Sequence, residues 1–267
     1  MKKHKIDKKD LFSVASFSGG RSSALMVIFM QLNKVLDTNS EVIFCNTGFE
    51  HISTLEFVRD FEIFTKIKIT WLEFCGSHVP PKIVNFDNCS KNGEPFVLMC
   101  RERKMLPNRV ARFCTSDLKI KLIKRYLKSK GITHYNAFVG IRADEEHRYH
   151  KLINTPIKDV FQYSFPLYDL GITSAYVLSF WSSLRWDLKI DSRLGNCTLC
   201  FNKGKANLCS AIRLDNNHLD TFLELEKEFN ATFSSRYSLQ DLKIIALSEF
   251  DFPAHTFQDV DCHCNID

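Results

Sequence analysis

Two stretches of this chain combine residue types and spacing that suit chemistry. In Ser18-Gly19-Gly20-Arg21-Ser22-Ser23, two glycines permit a sharp turn and a close backbone approach, three serines offer hydroxyls, and an arginine adds positive charge. Where such a turn joins a strand to a helix, the free N–H groups of the first helical turn form an anion site suited to phosphate. In Gly195-Asn196-Cys197-Thr198-Leu199-Cys200, two thiols sit on one tight turn. A Cys-x-x-Cys turn is a half-site for zinc or an iron–sulfur cluster, and it can also act as a redox pair.

Composition narrows the classes that can hold such groups. A chain of 267 residues with 45% hydrophobic content can build one large domain, or one domain with a smaller region appended. No stretch approaches the roughly 20 apolar residues of a membrane span, and the first residues lack the apolar run of a secretory signal. A cytoplasmic protein without membrane contact is therefore expected. Ten cysteines in such a chain point to ligands, reactive groups or small buried hydrophobes rather than to a disulfide framework.

The elements that must position these groups follow from periodicity. Short apolar runs alternate with helical patterns through the first half, as in βαβ units with a parallel sheet. Strands are predicted at Leu11 to Phe17, Glu41 to Cys45, Ile67 to Phe74 and Tyr135 to Ile141. Helices are predicted at Ser22 to Leu32, Ser53 to Phe64, Asp117 to Lys130, and from a Thr173 cap to about Trp186. Between Cys75 and Cys114 the pattern is irregular, and two short helices are expected before Phe229.

The glycine turn then falls between the first strand and the first helix, and Ser16-Phe17-Ser18-Gly19-Gly20-Arg21-Ser22-Ser23 resembles the PP-loop of the ATP pyrophosphatase and PAPS reductase superfamily. Phe44-Cys45-Asn46-Thr47-Gly48-Phe49-Glu50-His51 resembles that superfamily's second nucleotide-side loop. Phe113-Cys114-Thr115-Ser116-Asp117-Leu118-Lys119 is similar to its Cys-Thr-x-x-Leu-Lys element. Gly140-Ile141-Arg142-Ala143-Asp144-Glu145 is similar to its Gly-Ile-Arg-Ala-Asp-Glu element. Together the four motifs and the cysteine turn cover roughly residues 11 to 210.

The resemblance implies an α/β fold of the adenine nucleotide alpha-hydrolase type. Its sheet is doubly wound, mainly parallel and Rossmann-like, over residues 1–170, and a smaller helical region with the cysteines follows over 171–267. An adenine nucleotide, ATP or PAPS, is expected at Ser16, Ser18, Gly19, Gly20, Arg21, Ser22, Ser23, Asn46, Thr47, Gly48 and Gly140. Catalytic roles fall to Arg142, which would neutralise phosphate charge, and to Asp144 and Glu145, which would hold Mg²⁺ or orient a nucleophile. Where the family's loop carries Asp before its last Ser, this chain has Ser22, so a metal role for that Asp does not carry over. The two glycines of the loop favour ATP over PAPS.

The resemblance also brings Cys114 to Cys197 and Cys200 around a [4Fe–4S] cluster, with zinc as the alternative for an all-thiolate site. Cys209 is the choice for fourth ligand by chain proximity, with Cys100, Cys75 and Cys89 as competitors. The expected function is an ATP pyrophosphatase that activates its substrate by adenylation for sulfur transfer. Its acceptor would be RNA or DNA, and a sulfur donor protein would be its partner. PAPS reduction is the second reading, and a non-catalytic nucleotide- or nucleic-acid-binding protein is the third. The +5 charge and the basic residues of 101–130 permit nucleic acid, and they equally describe a solvated helix face. Cys262 and Cys264 read as incidental thiols of a polar tail.

Overall fold

The fold was obtained as a computed structural model and is described for residues 11–154, 161–191 and 194–248. The chain runs through β1 (Phe12–Phe17), α1 (Arg21–Leu32), β2 (Ser40–Asn46), α2 (Ile52–Thr65), β3 (Ile69–Glu73), β4 (Lys82–Val84) and α3 (Glu94–Arg103). It continues through α4 (Phe113–Thr115), a π-helical stretch at Ser116–Ile120, α5 (Lys121–Ser129), β5 (Tyr135–Val139), α6 (Glu146–Ile153) and β6 (Phe161–Ser164). The helices α7 (Pro166–Asp169), α8 (Ser174–Ser182), α9 (Lys205–Leu214), α10 (Leu219–Phe229) and α11 (Leu239–Leu247) complete it.

The six strands form one sheet in the order β4-β3-β2-β1-β5-β6. The pairs β1–β2, β1–β5 and β5–β6 are parallel, and β4 runs antiparallel to β3. This is the mainly parallel, doubly wound α/β architecture expected, with a helical, cysteine-containing C-terminal region. In β3 all five residues are buried, as in a strand covered on both faces.

The structure adds elements that the apolar pattern hides. β4 and α3 lie inside the segment predicted to be irregular, and α6 and β6 lie between the last predicted strand and the Thr173 helix, where no element is predicted. α8 ends at Ser182, short of the predicted Trp186, and Thr173 gives no side-chain cap. Its first N–H, from Ser174, is instead accepted by Asp144 Oδ2 at 3.2 Å.

Two compact units share the described residues. One takes the chain up to Phe44, Asp60–Thr70 and Lys124–Asp187, and the other takes Cys45–Arg59, Trp71–Ile123 and the chain from Leu188 onward. The first unit packs Val14, Phe17, Leu25, Met26, Phe61, Val139 and Trp181 out of solvent. The core of the second is aromatic, with Phe49 4.4 Å from Phe222 and 5.2 Å from Phe96 between ring centroids. Among the described residues no helix is long and apolar enough to cross a membrane.

Candidate functional site

In the first unit, β1 delivers the chain to Ser18, and Gly19 turns it at a φ of +78°, a conformation that side-chain-bearing residues rarely adopt. Gly20 is the N-cap of α1 in extended backbone and has no side-chain cap, and the first turn holds no acidic residue. The α1 N-terminus thus presents its positive dipole end to this turn. Ser23 braces the turn: its Oγ accepts from Ser18 N–H at 3.1 Å and donates to the Gly20 carbonyl at 2.9 Å. The Ser18 and Ser23 hydroxyls lie 3.0 Å apart.

The loop after β5 locks onto the same turn. A Cβ on Gly140 would stand 3.0 Å from Ser23 Cα and 3.1 Å from Ser23 N, a crowding that a larger residue could relieve only by moving the Ser23 backbone. Arg142 is buried and donates to Ser22 Oγ at 3.2 Å, to Asp144 Oδ1 at 2.9 Å and, from its backbone N–H, to Glu145 Oε2 at 3.0 Å. Glu145 also accepts from Arg148. Asp144 and Glu145 are thereby engaged in holding arginines. Ser22, which replaces the family's Asp, is the hydroxyl that Arg142 grasps.

Arg21 turns to Asp187, a residue that sequence reasoning did not single out. Its Nε and a terminal nitrogen each donate to one carboxylate oxygen at 2.8 Å, a bidentate pair. The Arg21 carbonyl accepts from the Trp181 indole N–H at 3.1 Å. Ser16 lies within β1, half-buried, with Val139 as its cross-strand neighbour.

In the second unit, Asn46, Thr47 and Gly48 follow β2. The fully buried Asn46 amide donates to Glu73 Oε1 at 2.6 Å and to the Ser90 carbonyl at 2.7 Å, and its Oδ1 accepts from Gly48 N–H at 3.1 Å. Thr47 donates to Glu50 from its N–H at 2.8 Å and from its hydroxyl at 2.9 Å. Glu50 is buried, and burial pushes its carboxyl above the ordinary range, against the opposing pull of Lys119 and the Thr47 hydrogen bonds.

Cys114, Cys197 and Cys200 line one small cavity of about 30 Å³ together with Thr47, Glu50, Thr115, Lys119 and an apolar wall that includes Phe96, Leu199 and Phe222. Local structure explains the arrangement. Cys114 lies on α4, just before a π-helical stretch that Asp117 pins by accepting from Arg103 at 2.6 Å and Lys121 at 2.8 Å. Short π segments of this kind recur at functional sites. Cys197 forms an isolated antiparallel bridge with Glu50, and His51 N–H donates to the Asn196 carbonyl at 2.9 Å. Burial raises the Cys114 thiol, with Lys119 drawing it back.

Cys209 is not among the side chains that line this cavity. It is fully buried on α9, where its sulfur lies 4.0 Å from the Leu242 carbonyl of α11. Of the competing thiols, Cys100 is also fully buried, and its thiol is raised by burial and by the charge of Cys114. Cys75 donates to the Pro80 carbonyl at 3.0 Å, and Cys89 to the Phe86 carbonyl at 3.4 Å. Among the described residues no three His, Cys, Asp or Glu side chains converge as a formed metal site. In donor chemistry the cavity fits a thiophilic centre: three thiols suit iron–sulfur or zinc and leave a coordination position for another group. Cys262 and Cys264 lie outside the described residues.

The basic residues of 101–130 are largely engaged within the fold. Arg101 pairs with Glu228 at 2.9 Å, Arg103 and Lys121 hold Asp117, and Lys130 pairs with Glu41 at 2.8 Å.

With this geometry in place, the comparisons assign a class. Residues 13–180 match the phosphoadenosine phosphosulfate reductase domain, and the chain belongs to that family. A curated relative, the uncharacterized nin region protein ORF290 of Escherichia phage lambda, is 29% identical over 210 residues, which cover 72% of this chain and 67% of that protein. Among solved structures, a U34-tRNA thiolase NcsA from Methanococcus maripaludis with its [4Fe-4S] cluster is similar at a TM-score of 0.40 and 15% identity, covering 95% of this chain and 78% of that one.

Proposed function

We propose that the chain is an ATP pyrophosphatase that activates an acceptor by adenylation for sulfur transfer. The observation that carries this reading is the uncapped α1 N-terminus, with Gly19 and Gly20 at its mouth, Gly140 packed against Ser23, and Arg142 on Ser22. An acceptor oxygen attacks the α-phosphorus, the bond to the β-phosphate oxygen breaks, and pyrophosphate leaves with the electron pair. Ser18, Gly19, Gly20 and Ser23 cradle the phosphates through N–H and hydroxyl donors, and Arg142 offsets the charge that develops. Asp144 and Glu145 orient Arg142 and would be the carboxylates to hold Mg²⁺ brought with the nucleotide. Ser16, Asn46, Thr47 and Gly48 complete the nucleotide-side assignment.

Cys114, Cys197 and Cys200 would hold a [4Fe–4S] cluster or zinc, and a cluster there supplies electron transfer and affinity for sulfur. Glu50 and Lys119 set the local charge and Phe96, Leu199 and Phe222 exclude water. The acceptor would be RNA or DNA, and the sulfur source a donor protein. Family membership equally supports reduction of PAPS, which predicts sulfite instead of pyrophosphate. Anaerobic incubation with ATP and, separately, PAPS discriminates the two. Pyrophosphate from ATP, increased by tRNA or DNA, is the expected result. Sulfite from PAPS alone would replace this reading with the second, and nucleotide binding without either product would leave a binding protein.

A further inference from the structure

The turn that carries Cys197 and Cys200 is built around a buried cation. Lys203 is buried, and its ammonium donates to three backbone carbonyls of the turn: Leu194, Cys197 at 2.9 Å and Thr198 at 2.5 Å. Its own N–H donates to the Cys200 carbonyl at 2.9 Å. From the other side Arg109 donates to the Phe201 carbonyl at 3.2 Å, to Asn202 at 3.3 Å and to Lys203 at 3.0 Å. Two cationic side chains thus grip three carbonyls each within residues 194–203.

Burying an ammonium costs free energy unless its environment compensates it, and a hydrogen-bonded core needs no formal charge to hold a turn. A positive charge at this place is useful when the neighbouring groups become negative. Thiolates that ligate a metal are negative, and the net charge of a thiolate-bound centre sets its affinity and its potential. The turn is also stitched to the Glu50 segment by Thr198 N–H, which donates to the Phe49 carbonyl at 3.1 Å.

We propose that Lys203 is a positioning residue of the cysteine site, assisted by Arg109. It preforms the Cys197–Cys200 turn before any metal arrives, and its charge favours the anionic, metal-bound state. This rests on the reading of Cys114, Cys197 and Cys200 as a thiolate metal site.

The test uses the full chain, prepared anaerobically, with Co²⁺ as a probe whose sulfur-to-metal charge-transfer band reports thiolate ligation. Lys203→Met is expected to weaken Co²⁺ binding about 10- to 100-fold, the range for loss of an outer-shell partner. Arg109→Gln should act in the same direction and less strongly. After reconstitution with iron and sulfide, Lys203→Met should shift the reduction potential to more negative values, because removing a cation disfavours the added electron. A mere packing defect has no reason to move the potential in that sense. If Lys203→Met does not fold by circular dichroism, the exposed Arg109→Gln decides on the same affinity criterion. Wild-type affinity and potential in the variants would overturn the proposal alone. A wild-type protein with no thiolate band, with Co²⁺ or with iron and sulfide, would overturn the metal-site reading and the proposal with it.

Discussion

In the unit with the glycine turn, the charged groups of the candidate site face opposite charges: Arg21 meets Asp187, Arg142 meets Asp144, and Arg148 meets Glu145. In the unit with the cysteine cavity, the cations Lys203 and Arg109 grip neutral carbonyls, and Glu50 and Lys119 share a wall with three thiols. The difference teaches what each site awaits. Paired ions around a helix N-terminus without a side-chain cap would suit a ligand that brings its own charge and counter-ion. Three thiols that share one cavity with Lys119, on a turn gripped by Lys203 and Arg109, would make a place that gains stability when something binds the thiolates.

The sharpest way to break this comparison is to remove a sulfur. Cys114→Ser or Cys197→Ser should reduce retained metal by more than the roughly 100-fold that an outer-shell loss costs, as measured by metal content after anaerobic reconstitution and desalting. Nucleotide affinity measured by calorimetry should stay at the wild-type level, and a joint loss would show that the two sites are one. Next in size, Arg142→Lys keeps a positive charge and gives up the fork that spans Ser22 and Asp144. Pyrophosphate release should fall about 100-fold, the scale of one lost transition-state donor, with metal retention unchanged. Wild-type turnover would remove Arg142 from the mechanism. Gly140→Ala should then cost about 1–3 kcal/mol in urea unfolding, with weaker nucleotide binding, because its Cβ meets Ser23 backbone and no flexible side chain can yield. An unperturbed unfolding midpoint would show that the contact relaxes.

Part of this was legible in the sequence. Strong apolar runs such as Val42-Ile43-Phe44-Cys45 marked the strands, and the Ser-Gly-Gly turn marked the junction of the first strand and first helix. The elements that escaped lack that signal. α6 buries Leu152 alone among its described residues, and β4 has only Val84 buried, so neither shows a period. α11 did carry a signal: Ser238 and Asp241 form a capping box, with Asp241 N–H donating to Ser238 Oγ at 3.0 Å. At the sites, Cys114 could be joined to Cys197 and Cys200 only through the family pattern, because they are separated by most of a domain in the chain. Chain proximity chose Cys209, yet a helix turns successive residues to different faces, and that thiol faces α11. Asp187 carries no local pattern, since its partner Arg21 lies far away in the chain, and the carbonyls that Lys203 holds, though close in sequence, belong to the backbone and leave no mark in residue types.

The smallest expected effect compares two carboxylates, one in each unit. Burial alone would raise Glu41, but hydrogen bonds from Lys130, Thr70 and Tyr126 outweigh it and hold the carboxyl below the ordinary range. For a carboxyl lowered on folding, the stabilisation is present above the unfolded-state pKa and is lost as pH falls through the folded one. Glu41→Gln should therefore destabilise near neutral pH, by less than about 1 kcal/mol because the Lys130 end is exposed, with the deficit closing on acidification below pH 4 or so. Glu50 has the opposite sign. Its carboxyl is raised by burial, so its contribution is favourable at low pH and is lost as pH rises through the folded pKa. Glu50→Gln, which keeps an acceptor for Thr47, should leave the metal-free protein at least as stable as wild type at neutral pH, with the advantage shrinking on acidification. Urea midpoints of the two variants across pH should diverge in opposite directions from wild type. Parallel curves would mean that Lys119 compensates the Glu50 charge as fully as Lys130 does that of Glu41, and the contrast between paired and awaiting sites would fail at this residue.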